Sequence, residues 1–168
     1  MAVQIRTERP GDIPAIEAVI RAAFLHAAHT SHTEHAIVHT LRAAGQLVIS
    51  AVAQRHGEIV GHIAVSPVAI SDGTRNWYGV GPLSVHPLHQ RKGVGSALMR
   101  HALAALEERR VGGIVVLGEP GYYARFGFKP AHPLALPGVP QAYFQAIGLA
   151  GSLPAGTVSY HEAFAVAG

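Results

Sequence analysis

Cysteine is absent from the 168 residues. That excludes a disulfide framework and a thiol nucleophile, so any thiol chemistry has to arrive with a cofactor. Long apolar runs are missing as well. No stretch approaches the roughly 18 residues of a membrane span, and the first ten residues, M-A-V-Q-I-R-T-E-R-P, lack the apolar h-region of a secretory signal. A soluble, cytoplasmic protein without a membrane partner is expected. Arginine and lysine are scattered, with short pairs at Arg91-Lys92 and Arg109-Arg110 and no aromatic-basic array, so nucleic acid is not expected as a partner. Net charge is +3 with histidines neutral, and twelve histidines make it climb below about pH 6.5. The length suits one domain, and no internal repeat or low-complexity tract interrupts it.

What the chain does contain is concentrated between Tyr78 and Met99. Leu83 to Val85 are strand-type residues, His86-Pro87 stops the strand, and from Gly93 onward Val94, Ala97, Leu98, Ala102 and Ala105 recur at helical spacing. A helix start leaves backbone N–H groups without partners and carries partial positive charge, so anions bind there. Gly93 and Gly95 have no side chains to hold a diphosphate away, and Arg91 and Lys92 flank the turn with positive charge. One such contact is worth about 0.3 to 1 kcal/mol when exposed and about 2 kcal/mol when partly buried, so several donors must converge. Neither the Walker A spacing nor the full G-x-G-x-x-G fingerprint is present, because Leu98 stands where the third glycine would be.

The pattern Gln90-x-x-Gly93-x-Gly95, directly after Leu83-x-Val85-x-Pro87, resembles the acetyl-coenzyme A signature of the GNAT superfamily of N-acetyltransferases. Downstream, Tyr123-Ala124-Arg125-Phe126-Gly127-Phe128 resembles the Tyr-x-x-x-Gly-Phe element of the same family, in the expected order and distance. The resemblance covers the whole chain and is nearest to bacterial predicted acetyltransferases of unassigned substrate. It implies an α/β fold: a mixed, mostly antiparallel central sheet, helices on both faces, and a parallel, splayed strand pair that admits pantetheine. It implies acetyl-CoA as co-substrate, held by Leu83, Ser84 and Val85 and by Gln90, Arg91, Lys92, Gly93, Val94, Gly95 and Ser96. It also implies direct transfer to a primary amine of a small molecule or peptide, with Tyr123 as general acid. A homodimer is the usual family outcome.

Around this centre, Val3 to Arg6 reads as a strand. Asp12 is placed to cap a helix with Ile13, Ile16, Val19, Ile20, Ala23 and Phe24 on one stripe. Ser31-His32-Thr33-Glu34 has capping-box spacing before a second helix with Ile37, Val38 and Leu41 inward. Leu47 to Gln54 and Glu58 to Ile70 read as strands joined at His56-Gly57. The central helix is expected to end at Gly112-Gly113, and Ile114 to Leu117 to run parallel to Leu83–Val85. Tyr122 and Tyr123 fall on a short helix after Gly118-Glu119-Pro120, with Tyr122 read as packing. Four prolines mark an irregular loop from Pro130 to Pro140, and strands are expected at Tyr143 to Ile147 and Thr157 to Phe164.

Acyl transfer to an amine needs a neutral nitrogen, a stabilised oxyanion and a proton for the departing thiolate. Backbone N–H groups on the Leu83 to Val85 strand suit the oxyanion, and Pro82, without an N–H, fits a disturbed ladder there. For the base, nothing acidic lies between Trp77 and Arg91, where many relatives carry a glutamate. Glu119, His26, His29, His62 and His86 remain alternatives, as does water or an already neutral amine. His26, His29, His32, His35 and His39 also invite a metal reading, but a three-residue step drifts about 60° around a helix. Only His35 and His39 share a face, without the carboxylate of an H-E-x-x-H site. Two other readings stand beside the enzyme: a non-catalytic acyl-CoA sensor and a histidine-rich metal-binding protein. The resemblance implies that acceptor choice resides in Phe24 to Glu34 and Pro130 to Pro140. The apolar C-terminal segment, with few carboxylates, points away from a strongly polycationic acceptor.

Overall fold

The computed structural model describes residues 3–27 and 30–167. It opens with β1 (Gln4–Thr7), α1 (Ile13–Phe24) and α2 (Glu34–Ala43), followed by the meander β2 (Ile49–Arg55), β3 (Glu58–Pro67), the short β4 (Ala69–Ile70) and β5 (Trp77–Val85). The crossover helix α3 (Val94–Glu108) leads to β6 (Gly113–Leu117) and the one-turn helix α4 (Pro120–Tyr123). The strands β7 (Lys129–Pro130), β8 (Leu134–Ala135), β9 (Phe144–Gly148) and β10 (Gly156–Ser159) complete the chain before a closing 3-10 turn, Glu162–Ala167.

Seven strands form one sheet in the order β1-β2-β3-β5-β6-β9-β7, parallel only between β5 and β6. A second sheet has the order β4-β10-β8. Strand alternation divides the core. Ile63, Val65, Val80, Ile114 and Val116 pack on Val94, Leu98, Met99, Ala102 and Leu106 of α3. On the opposite face Val52 and Ala64 meet Ile16, Val19 and Ile20 of α1 and Val38 of α2. Of the stripes read from helical spacing, Ile16, Val19, Ile20, Ile37, Val38, Leu41, Val94, Leu98 and Ala102 are buried, whereas Ile13, Ala23, Phe24, Ala97 and Ala105 are only half-buried. Each buried aliphatic side chain stabilises the fold by about 1.5–3 kcal/mol relative to exposure. Among the described residues no helix is long and apolar enough to cross a membrane.

Several local expectations are corrected. β5 and β6 do run parallel, but the paired residues are Trp77–Val80 with Gly113–Val116, not Leu83–Val85. The register of β5 on β3 shifts between Val80 and Leu83, leaving Gly81 and Pro82 without partners. Pro82 has no N–H for a ladder, so the parallel pair stops at this bulge and its ends part. α3 does not end on glycine. Arg110 takes the left-handed position (φ 55). Its N–H donates to Glu107 and that of Val111 to Leu106, a Schellman arrangement. Gly113 serves a different purpose, since a Cβ there would lie 2.2 Å from the Trp77 ring.

The expected strand Glu58 to Ile70 breaks at Val68, because β4 leaves for the second sheet. Likewise Thr157 to Phe164 is a strand only to Ser159, after which Ala163 and Phe164 turn onto Ile37 and Leu41 of α2. Tyr143 belongs to a 3-10 turn before β9. Asp12 does not cap α1 with its side chain. Its carboxylate accepts from Arg6 at 2.7 and 3.0 Å and from the Arg9 N–H at 2.6 Å. Of the capping box only the return half forms, the Ser31 N–H donating to Glu34 Oε2 at 3.2 Å.

Candidate active site

The loop between β5 and α3 is shaped by two left-handed residues, Arg91 (φ 62) and Gly93 (φ 84). Alternating handedness of this kind turns successive N–H groups into one concavity. The first hydrogen bond inside α3 runs from Ala97 N–H to Gly93 C=O at 3.0 Å, so the N–H groups of Val94, Gly95 and Ser96 stand ahead of it. Gln90 fastens the loop to the strand, its Nε2 donating to Val85 O at 3.0 Å.

Above this helix start lies a cavity of about 610 Å³ walled by Leu83 and Val85, the loop residues His89, Gln90 and Arg91, then Gly93, Gly95 and Ser96, with Phe24, Tyr122 and Arg125 opposite. Seven of the expected residues are thus gathered here: Leu83, Val85, Gln90, Arg91, Gly93, Gly95 and Ser96. Three side chains are not. Ser84 is buried on the other face of the sheet beside His62, Val94 is in the α3 core against Gly61, and Lys92 is exposed away from the cavity. Lys92 and Val94 have only their backbone N–H groups to offer.

Sequence reading passed over Tyr122 and Arg125 as cavity residues. The Tyr122 hydroxyl sits 3.0 Å from where a Gly95 Cβ would be. The Arg125 guanidinium lies 4.5 Å from the Tyr122 ring centroid and its Nε donates to the Tyr122 carbonyl at 3.0 Å. Their three-residue spacing, which places two side chains on one face of a helical turn, was the available signal.

A second cavity, about 720 Å³, begins where β5 and β6 part. Its walls come from Val80 to Leu83, Leu117 and Tyr123, from Phe24, Glu34 and Ile37, from the loop at Leu136 to Val139, and from Tyr160 to Glu162 with Phe164. Phe24 and Leu83 belong to both cavities, which therefore adjoin. Tyr123 lies against Gly118, where a Cβ would approach its ring to 2.5 Å, and packs edge-on to Tyr122 at 5.0 Å between centroids. Burial pushes its phenol up to about 12. The Tyr160 hydroxyl is buried without a hydrogen-bond partner among the described residues, and burial raises it too.

The candidate bases are dispersed. His62 is fully buried, its Nε2 2.8 Å from Ser50 Oγ, and burial holds it down at about 4. It belongs to a network in which Ser50 donates to Glu8 and Arg42 makes two 2.8 Å bonds to the same carboxylate. Burial pushes Glu8 up, but the bonds from Arg42 and Ser50 outweigh it and leave Glu8 below the usual carboxylate range. Glu119 is exposed at the start of α4 and walls neither cavity. His26 is exposed, the His86 Nδ1 accepts from the Leu88 N–H at 3.2 Å, and His29 lies outside the described residues. Among the described residues no group of three or more histidine, aspartate or glutamate side chains could hold a metal ion.

Residues 46–130 match the family model of the acetyltransferase (GNAT) domain. The chain belongs to the GNAT acetyltransferase family. It is 36% identical over 168 residues to YhbS of Escherichia coli strain K12, an uncharacterized N-acetyltransferase, covering 95% of this chain and 97% of the relative. A GNAT family acetyltransferase from Brucella melitensis, solved in complex with acetyl-CoA, superposes with a TM-score of 0.86 at 44% identity, covering 96% of this chain and 97% of that one. E. coli YhbS in complex with CoA gives a TM-score of 0.87 at 33% identity, covering 98% and 93%. In this acetyltransferase the mixed sheet, the parallel pair and the helices on both faces are those of the family fold. The matched segment runs from just before β2 to the end of β7.

Proposed function

We propose that this acetyltransferase binds acetyl-CoA in the 610 Å³ cavity, diphosphate on the α3 start and thioester at Leu83, and passes the acetyl group directly to a primary amine in the adjoining cavity. The observation carrying this reading is the loop with left-handed Arg91 and Gly93, which offers backbone N–H groups beside the guanidinium groups of Arg91 and Arg125. The complexes of the Brucella and E. coli relatives with acetyl-CoA and CoA support the same ligand.

In the transfer, the amine first loses a proton to solvent, its lone pair forms the C–N bond, and the carbonyl oxygen becomes negative. An N–H at the β5 bulge, where Gly81 and Pro82 lack ladder partners and Pro82 has no N–H, is the candidate donor to that oxygen, from Gly81 or the adjoining Leu83. When the C–S bond breaks, Tyr123 gives its proton to the sulfur and recovers one from the nitrogen, so amide, thiol and one released proton balance the reaction. A phenol near 12 stays protonated throughout the working range. The desolvation that raises it also raises the proton affinity of a thiolate formed beside it.

Calorimetric titration tests the donor site. Acetyl-CoA and CoA are expected to bind in the micromolar range, ATP far more weakly, and a variant carrying Gly93→Val and Gly95→Val to lose binding altogether. Equal affinity for ATP, or full binding by the variant, would overturn the assignment.

A further inference from the structure

Resting on the donor assignment above, we infer that the 720 Å³ cavity is the acceptor site and takes a small-molecule primary amine carried on an apolar body. Its volume lies in the range that encloses a drug-sized ligand. Ile37, Leu117, Leu136, Val139 and Phe164 make the walls apolar, so burying a hydrocarbon body there is favourable at about 25 cal/mol per Å².

Two carboxylates face this space from separate elements, Glu34 at the start of α2 and Glu162 at the start of the C-terminal turn, and among the described residues no lysine or arginine lines it. Glu34 Oε2 is engaged by Thr30 Oγ1 at 2.6 Å and by the Ser31 N–H at 3.2 Å, while no bond to Oε1 is made by the described residues. His161, also in the lining, accepts the Ala163 N–H on Nδ1 at 2.9 Å, so its neutral ring carries the proton on Nε2 and offers no lone pair there. The buried Tyr160 hydroxyl, without a partner among the described residues, supplies one more hydrogen-bonding group to an occupant. Gly79 makes room for that ring, since a Cβ would come within 2.6 Å of it. An acyl chain longer than acetyl would fit the apolar walls but leave both carboxylates without a counter-charge. An ammonium on an apolar body satisfies walls and carboxylates together. A polycation leaves the walls unused.

The test measures CoA release at saturating acetyl-CoA with 4-phenylbutylamine, hexylamine, spermidine and a lysine-containing peptide. The apolar amines are expected to be preferred by about tenfold or more in kcat/KM over spermidine and peptide, as apolar burial of this size allows. Glu162→Gln is expected to raise KM for 4-phenylbutylamine about five- to tenfold with KM for acetyl-CoA unchanged. Neutral 4-phenylbutanol should compete with the amine, not with acetyl-CoA, with equal affinity for the variant and the parent protein. Preference for peptide or spermidine, or no turnover of the apolar amines while acetyl-CoA binds, overturns the acceptor class and leaves the donor site standing. So does octanoyl-CoA binding more than about tenfold tighter than acetyl-CoA, which assigns the cavity to the acyl chain. Failure of acetyl-CoA itself to bind removes both readings.

Discussion

Phe24 and Leu83 are shared by two cavities whose other walls have little in common. The one over α3 is built from a backbone loop, with Arg91 and Arg125 as its cations and no carboxylate among the described residues. The one beyond the β5 bulge is built from side chains of five separate segments, with Glu34 and Glu162 as its carboxylates. Nearly all of the first lies within the residues 46–130 matched to the family, whereas most of the second, from Phe24 to Ile37 and from Leu136 to Ala165, lies outside them. The proposed roles of the two cavities account for the division. A diphosphate and a thioester are the same whatever the acceptor, so one loop geometry serves them. An acceptor's shape has to be met by side chains.

Removing the proposed proton donor, which lines the second cavity with the shared Leu83, should have the largest effect. Tyr123→Phe is expected to lower kcat about 100-fold with little change in either KM, measured by steady-state kinetics. A drop in acetyl-CoA affinity instead would make Tyr123 a wall of the donor site only.

Stability toward acid is expected to depend in part on His62, buried on the far face of the sheet. Folded His62 titrates at about 4 where the ordinary value is 6.5, because burial disfavours its charged form. Below 6.5 the unfolded chain takes up that proton first, so the His62 contribution is complete above 6.5 and drains away until about pH 4. The loss amounts to about 3 kcal/mol. Urea midpoints at pH 7.5 and 4.5 measure it, and any pH profile of activity has to be read within that window. A flat stability profile between those values would contradict the buried, neutral imidazole.

Smaller, and confined to one side of the comparison, is the effect of Arg125→Ala. It is expected to weaken CoA binding about five- to tenfold by calorimetry and to leave 4-phenylbutanol binding unchanged. Equal losses for both ligands would mean that the variant disturbs α4 rather than removing a phosphate contact.

How far the sequence reaches follows the same division. Helical stripes such as Ile16–Val19–Ile20, and the turn at Gly93-Val94-Gly95, depend on neighbours within a few residues and are legible from spacing alone. The split of β5 from β6 was foreseeable, but its position was not, since register on β3 is set by partners some 20 residues away and shifts at Gly81-Pro82. Arg110 ending α3 defied expectation because the adjacent glycines are required by Trp77. Tyr122 looked like packing because a hydroxyl over Gly95 is a tertiary fact. Ser84, expected at the donor site, points to the opposite face by strand alternation beside Leu83, a parity the motif alone does not reveal. The apolar cavity was invisible as a unit, although Phe24 to Glu34 and the proline-rich loop were singled out, because Tyr160 and Glu162 reach it only after β10 ends.

A crystal structure of the chain with CoA would decide whether the two cavities divide the reaction as described. The diphosphate should lie on the N–H groups of Gly93 to Ser96, the sulfur should emerge at Leu83 within hydrogen-bond reach of the Tyr123 hydroxyl, and the cavity lined by Glu34 and Glu162 should remain empty. Pantetheine occupying that cavity, or sulfur placed at Tyr122 and away from Tyr123, would contradict the account.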